Sequence, residues 1–450
     1  MNHHLENWHK IITLLNQTDV KFIRFVWCSN NNVIRAKAVH KNRLDAYLTD
    51  GVNICPTQQA VSIFDGDQVV GSGIARCQDV RLLPDWDTLT LLPYTSGHAS
   101  VMAELFKEGK PWPCCPRHFL KRMIAAATDQ GLEIMGAFEN EFFLLKSSEP
   151  LLPADHNIFA GSTCSMDLQH KLINDITDAL IAQGVQVELY YPESGPGHQE
   201  ISVLYTKALS AADQQILFRQ TVKAIAYQHK LIASFIPKLF SEFDGSGAHL
   251  HLSLWQNGKN IVPDCETAGQ LSERAKCFMA GLLHHLPALM ALIAPTTNSY
   301  RRIQAHLSSG AFVCWGFNNR DAAIRVPTNP SPTSPTHFEL RTVDASSNPY
   351  LALGGVIAAG LDGIHRNLQL GEPIALDPEK LDELERHKRG IDRLPTHLGE
   401  AIQALEQDEI LLKALGKDLA QAYLAIKKTE WEMMKDYSLE KEVKLLLAQY

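Results

Sequence analysis

The sequence predicts an α+β protein of two units, a small strand-rich one over 1–110 and a larger one over 111–450. Three observations carry this. Before residue 100 the chain is rich in β-forming runs and turns and poor in long amphipathic stretches. The segment Pro111-Trp112-Pro113-Cys114-Cys115-Pro116 punctuates the chain where that texture changes. Beyond it, helix-period segments alternate with strands whose two faces differ in polarity.

Val20–Cys28 and Val33–Val39 read as strands joined by a hairpin turn at Asn30-Asn31-Asn32. Phe64-Asp65-Gly66-Asp67 is a turn with two carboxylates, and Asp79–Tyr94 reads as strands broken at Pro84-Asp85. Asn7–Gln17 and Lys41–Asp50 are the helices expected in this unit. Pro116 suits a first helical position, and Phe119, Met123, Ile124 and Ala127 follow at helical spacing up to Gly131. A strand over Leu132–Leu145 comes next, then a helix over Ser165–Gly184, a strand over Val185–Tyr191 and a helix over Ala211–His229. Asn298-Ser299-Tyr300-Arg301-Arg302 begins a loop with paired arginines, and Pro327–Pro335 is a Pro-rich linker to a strand at Phe338–Arg341. Ala401–Tyr450 is helical, with Leu405, Leu412, Leu415, Leu419, Tyr423 and Ile426 as an apolar stripe for core or subunit packing.

At 450 residues, 45% hydrophobic and 20% charged, the chain has the composition of a globular protein with a large core. A formal net charge of -8 argues against nucleic acid or an anionic membrane as the main partner. Nine scattered cysteines without a C-x-x-C pair suit free thiols in a reducing cytoplasm. Met1–Lys10 is polar, so no leader is read there. Phe278–Ala294 is interrupted by His284, His285 and Pro287, and Tyr350–Ile364 is short and Gly-rich; both are expected to be buried helices, with no membrane span.

The chemistry lies on the polar faces of the strands. In Phe243–Leu254 the residues Ala248, Leu250, Leu252 and Leu254 form an apolar back, and His249, His251 and Ser253 form a polar front. Asp244-Gly245-Ser246-Gly247 is a turn that lets backbone approach a ligand. Glu139 and Glu141 share one face of their strand, opposite Phe138, Phe142 and Leu144. Glu193 and Glu200 flank a stiff Gly-Pro-Gly turn, and Glu339 and Arg341 again sit two apart. So many acids on one side of a sheet cannot be buried unpaired, and hard oxygen donors favour Mg²⁺ or Mn²⁺. Arg301, Arg302, Arg320 and Arg325 add forks for carboxylate or phosphate oxygens, which with Mg²⁺ points to phosphoryl transfer. No P-loop and no kinase Gly-rich set is present, so a nucleotide would be held in another way.

The stretches F-D-G-D at Asp65, G-A-F-E-N-E-F-F, G-P-G-H-Q-E, G-S-G-A-H-L-H-L-S-L, N-S-Y-R-R, N-N-R-D-A-A-I-R, F-E-L-R and N-P-Y-L-A-L occur in the order of one family. On them the chain resembles the glutamine synthetases, from about residue 15 to its end. The resemblance implies a β-grasp N-terminal domain and a catalytic domain built on an antiparallel sheet with helices, a fold shared with guanido kinases. It implies a homo-oligomeric ring, a dodecamer or similar, with active sites between subunits. It implies ATP and two or three Mg²⁺ or Mn²⁺ ions per site. The reaction implied is phosphorylation of the γ-carboxylate of L-glutamate, followed by displacement of phosphate by ammonia or an amine.

Carried over motif by motif, Glu141, Glu193 and Glu200 would hold one metal, and Glu139, His249 and Glu339 the second. Gly245, Arg302 and Arg341 would bind glutamate; Arg320 and Arg325 would stabilise phosphates; His251 and Ser253 would lie toward the nucleotide. Asp65 of the partner subunit would bind or deprotonate the incoming nitrogen. Departures from the family pattern are also present. Ser308 stands, by gapless spacing, where glutamine synthetases proper carry the glutamate that closes over ammonium. This favours a larger amine. Asp244 replaces the usual Asn, and Ser334 aligns with an adenine-side lysine. The expected activity is therefore a γ-glutamyl-amine ligase. The alternatives are ordinary glutamine synthetase, a non-catalytic structural or regulatory relative, and a phosphagen-kinase-like phosphotransferase.

Overall fold

The structure is a computed structural model that describes residues 11, 13, 15, 17–64, 66–77, 79–267, 269–305, 309–328 and 336–450. Asp65, Ser308, Ser334, most of the expected linker and much of the expected first helix lie outside these residues.

The N-terminal sheet comprises β1 (Phe22–Cys28), β2 (Ile34–His40), β3 (Val52–Ile54), β4 (Val80–Pro84), β5 (Thr90–Leu91), β6 (His98–Lys107) and β7 (Lys110–Pro111). Its order is β2-β1-β6-β4-β3, with β5 and β7 also on β6. The hairpin between β1 and β2 forms as the sequence predicts, with Asn32 taking the left-handed turn conformation at φ 61. β6 was not legible beforehand, although it is the centre of this sheet; it pairs parallel to β1 and antiparallel to β4. Lys41–Tyr47 is a 3₁₀-helix rather than the longer helix expected over Lys41–Asp50.

The larger part begins with α1 (Pro116–Asp129), opened by Pro116 at its first turn. There follow β8 (Glu133–Ser148), β9 (Leu151–Pro153), α2 (Thr163–Ala182), β10 (Val187–Pro192), β11 (His198–Val203), β12 (Thr206–Lys207), α3 (Ala208–Gln228), β13 (Ile232–Ser234), β14 (Ala248–Gln256) and β15 (Lys259–Asn260). The chain continues through α4 (Glu273–Ile293), the single turn α5 (Ser299–Arg302), β16 (Trp315–Phe317), β17 (Ile324–Val326), β18 (Phe338–Leu340) and α6 (Pro349–Arg366). It ends in α7 (Glu383–Lys388), α8 (Leu398–Gln407), α9 (Glu409–Leu415), α10 (Lys417–Met434) and α11 (Leu439–Leu446). The start of the paired-arginine segment is thus helical, not loop.

The strands form one sheet in the order β10-β11-β8-β14-β18-β17-β16, with β9, β12 and β13 on β8 and β15 on β14. Every pairing in it is antiparallel except β16 with β17. The long β8 is the spine. Phe138, Phe142 and Leu144 on one of its faces are buried in the main core with Phe218 of α3, Leu250 and Leu252 of β14, and the helices α4 and α6. Among the described residues one helix, Glu273–Ile293, is long and apolar enough to cross a bilayer, but 78% of its apolar window is buried inside the protein.

The two sheets are joined by buried polar contacts. Arg117 of α1 is bonded to Glu104 of β6, to Asp85, and through two nitrogens to Asp213 of α3, which also accepts from Tyr350 Oη at 2.7 Å. The Asn-rich turn of the β1–β2 hairpin meets Arg219 of α3 and the carbonyl of Ala345.

Candidate active site

Register brings the polar faces together. Glu139 of β8 lies opposite His249 of β14, and Glu141 lies opposite Glu200 of β11. On the far side of β14, His251 lies opposite Glu339 of β18, which in turn lies opposite Arg325 of β17. Directly paired residues share a sheet face, so five β-segments present one polar surface, the side opposite the helix-backed core.

His249 is the hub. Its Nδ1 lies 3.0 Å from Glu139 Oε1 and 3.2 Å from Glu339 Oε1, and its Nε2 lies 3.7 Å from Glu141 Oε1. His251 Nε2 lies 3.3 Å from Glu139 Oε2. Glu339 is fully buried between Arg341 and Arg325, whose Nη1 donates to its Oε2 at 2.9 Å. Two groups of three can each offer ligand atoms within 4.8 Å of one another: Glu139, Glu141 and His249, and Glu139, His251 and Glu339.

The charges are not balanced among the acids. Burial opposes ionisation of Glu139, but hydrogen bonds and charge from His249 and His251 outweigh it and hold its carboxyl well below the usual range. Glu141 is likewise drawn down to about 2, against burial, by His198, His249 and the Gly247 amide. Glu200 goes the other way. Burial and the neighbouring Glu139, Glu141 and Glu193 push it up to about 9. Acids crowded together until one of them is driven toward its protonated form are a set that a divalent cation would neutralise. Oxygen-rich donors with one or two imidazoles fit Mg²⁺ or Mn²⁺.

The turn before β14 needs its glycines. A Cβ on Gly245 would meet Pro237 O at 2.2 Å and Arg302 Cγ at 2.7 Å. One on Gly247 would meet His249 Nε2 at 2.6 Å and Glu141 Oε1 at 3.2 Å. Asp244 is exposed beside this turn.

The paired arginines separate. Arg301 donates to Glu442 at 2.7 Å and to Tyr437 O at 2.7 Å, pinning the C-terminal helices. Arg302 turns inward, buried, and donates to the carbonyls of Arg341, Thr342 and Val343. Arg341 Nε donates to the carbonyl of Arg320, whose side chain is exposed.

A cavity of about 520 Å³ opens beside this surface, lined by Glu139, His251, Ser253, Trp255, Tyr205 and His337 among others. The Tyr205 and Trp255 rings stand 6.2 Å apart, and Ser253 Oγ accepts from Trp255 Nε1 at 2.9 Å. Sequence reasoning found His251 and Ser253 here but missed Tyr205, Trp255 and His337. It also missed His198, buried against Phe143 and 3.4 Å from Glu141. The period-two parity of β8 was the available signal, since Phe143 follows Glu139 and Glu141 on the same face. A larger cavity of about 950 Å³ lies elsewhere, between the β8–β9 turn and α11, and contains none of these residues.

Carboxylates, imidazoles and arginines gathered on one sheet face could hold a divalent metal beside an anionic reactant. Comparison with known proteins makes this specific. Residues 113–446 match the family model described as glutamine synthetase, catalytic domain. The chain is 33% identical to type-1 glutamine synthetase 1 of Dictyostelium discoideum, covering 95% of this chain and 89% of that one. It is 36% identical to the gamma-glutamylpolyamine synthetase GlnA3 of Streptomyces coelicolor, covering 88% and 86%. Among solved structures, a GmaS/ADP complex superimposes with a TM-score of 0.84 at 29% identity, covering 97% of this chain and 99% of that one. A structure described as a novel glutamine synthase homolog superimposes with a TM-score of 0.85 at 30% identity, covering 96% and 99%. The chain belongs to the glutamine synthetase family and is an ATP-dependent ligase. The family uses ATP and divalent metals, with glutamate and an amine or ammonia as fitting substrates.

Proposed function

We propose that this ligase joins the γ-carboxylate of L-glutamate to a primary amine through γ-glutamyl phosphate. Ser308 carries the choice of amine over ammonia, because the anion that would close over ammonium is missing there. The Streptomyces relative, named as a gamma-glutamylpolyamine synthetase, supports the same reading.

In the first step a γ-carboxylate oxygen attacks the terminal phosphorus of ATP, the bond to the bridging oxygen breaks, and ADP leaves. In the second, the amine nitrogen attacks the acyl carbon, phosphate leaves, and the nitrogen sheds a proton. Arg302, Arg341, Gly245 and Asp244 bind glutamate, and Arg320 and Arg325 meet phosphate oxygens. Ser308 borders the incoming amine, and Asp65 of the partner subunit receives its proton. His251 and Ser253 face the nucleotide, whose base the Tyr205–Trp255 cavity suits by size and aromatic lining. Glu141, Glu193 and Glu200 hold one divalent ion, and Glu139, His249 and Glu339 another. Divalent ions bound there supply positive charge to the phosphate oxygens. The enzyme works as a ring of copies, divided at 110/111 into two domains, in a reducing cytoplasm that suits its nine free cysteines.

Ordinary glutamine synthetase is the second reading, favoured by relatives of that name at 33% and 34% identity. A non-catalytic relative is disfavoured, since so many mutually repelling acids serve no packing purpose. Phosphate release from ATP and glutamate, measured with ammonia and with a panel of mono-, di- and polyamines, separates these readings. Turnover with an amine well above that with ammonia is expected. Strong turnover with ammonia alone overturns the amine assignment.

A further inference from the structure

Outside the residues assigned above, the best-built polar group facing the site is His198. It sits at the start of β11, opposite Phe143 of β8, and is 2% exposed. Its ring stacks on that of Phe143 with centroids 4.1 Å apart and planes within 10°. Its Nδ1 lies 3.1 Å from the carbonyl of Ser194. A carbonyl only accepts and so does a carboxylate, so Nδ1 carries a hydrogen toward Ser194, Nε2 carries one when it holds Glu141, and the ring orientation is fixed. Its Nε2 then points at two atoms, Ser246 Oγ at 3.1 Å and Glu141 Oε2 at 3.4 Å.

Glu141 is held unevenly as a result. Oε2 accepts from the Gly247 amide at 2.9 Å and lies beside His198. The Glu141 amide in turn donates to Gly247 O at 3.2 Å. Oε1 has a looser neighbour, His249 Nε2 at 3.7 Å. The turn cannot move closer to these side chains, because a space smaller than one methyl group separates Gly247 from His249 and Glu141.

We propose that His198 is the positioning residue for Glu141: it locks Oε2 between the 193–198 hairpin and the Ser246-Gly247 turn, leaving Oε1 to face a divalent ion. This rests on the reading of Glu141 as a metal ligand. His198 touches no reactant itself. It fastens three segments, β8, the hairpin and the turn, that would otherwise set the Glu141 carboxylate independently.

The test uses the full-length protein without nucleotide and reads Mn²⁺ affinity by calorimetry, with melting curves to verify folding. In H198N the amide nitrogen replaces Nδ1 and keeps the bond to Ser194, but nothing reaches Glu141. In H198Q the amide nitrogen takes the place of Nε2 and reaches it. Loss of such a supporting contact weakens metal binding by about 10- to 100-fold, so H198N is expected in that range and H198Q within about threefold of the native protein. Should H198N fail to fold, H198F, which keeps the stack on Phe143, takes its place with the same expected loss. Native affinity in H198N or H198F, or equal losses in H198N and H198Q, overturns the proposal. E141Q is the control. If it binds Mn²⁺ as the native protein does, the metal reading of Glu141 fails rather than the role of His198 alone.

Discussion

Glutamine in place of Glu139 removes one negative charge from the centre of the polar surface and almost no volume. Glu139 belongs to both donor groups and lies 3.0 Å from His249 and 3.3 Å from His251. At an effective dielectric of about 20, unit charges about 4 Å apart interact by about 4 kcal/mol. A loss of that size in the stabilisation of a charged transition state lowers the rate roughly 1,000-fold. Folding should survive, because Glu139 is also one of the acids that push Glu200 upward, and removing it relieves repulsion. The assay is phosphate release at saturating glutamate, ATP, amine and Mg²⁺, paired with melting curves with and without Mn²⁺. Native protein should melt higher with Mn²⁺, and Glu139→Gln should lose most of that gain. Turnover within about threefold of native, with the Mn²⁺ gain intact, would refute the reasoning.

Arg117→Met leaves Asp85, Glu104 and Asp213 without the buried guanidinium that bonds all three; urea unfolding should show a loss of about 3–5 kcal/mol. Gly247→Ala places a methyl group against His249 and Glu141, so it should weaken Mn²⁺ binding in calorimetry while the far-ultraviolet circular dichroism stays native. His285 lies 2.6 Å from Asp408 and 2.9 Å from Asp362, which also holds Arg366. Burial pushes the imidazole down, but the two carboxylates win and raise it above its ordinary 6.5. Its stabilisation is therefore complete below pH 6.5 and lost as pH rises through the folded-state value. Melting temperature should fall over that window in the native protein and less steeply in His285→Asn.

The polar faces of β8 and β14 were legible because alternation is written into consecutive residues. Which residues would meet was not. Glu139 faces His249 and Glu141 faces Glu200 through pairings between distant segments, and only tertiary packing fixes that register. β6 escaped notice although Ala99, Val101, Ala103 and Leu105 alternate with Ser100, Met102 and Glu104; Ala and Glu are poor strand formers, and its polar residues are buried, Glu104 against Arg117, rather than solvated. Arg301 and Arg302 are neighbours with opposite fates, decided by where α11 brings Glu442. The turn Ser299–Arg302 is too short to leave a helical period.

The central claim is that acids and an imidazole from separate strands hold divalent ions. Calorimetric titration of the nucleotide-free protein with Mn²⁺ near neutral pH, repeated in buffers of different ionisation enthalpy, tests it most directly. Saturable binding with release of a proton is predicted, because Glu200, pushed up to about 9, must ionise to become a ligand. Absence of saturable binding, or binding that releases no proton near pH 7, would contradict it.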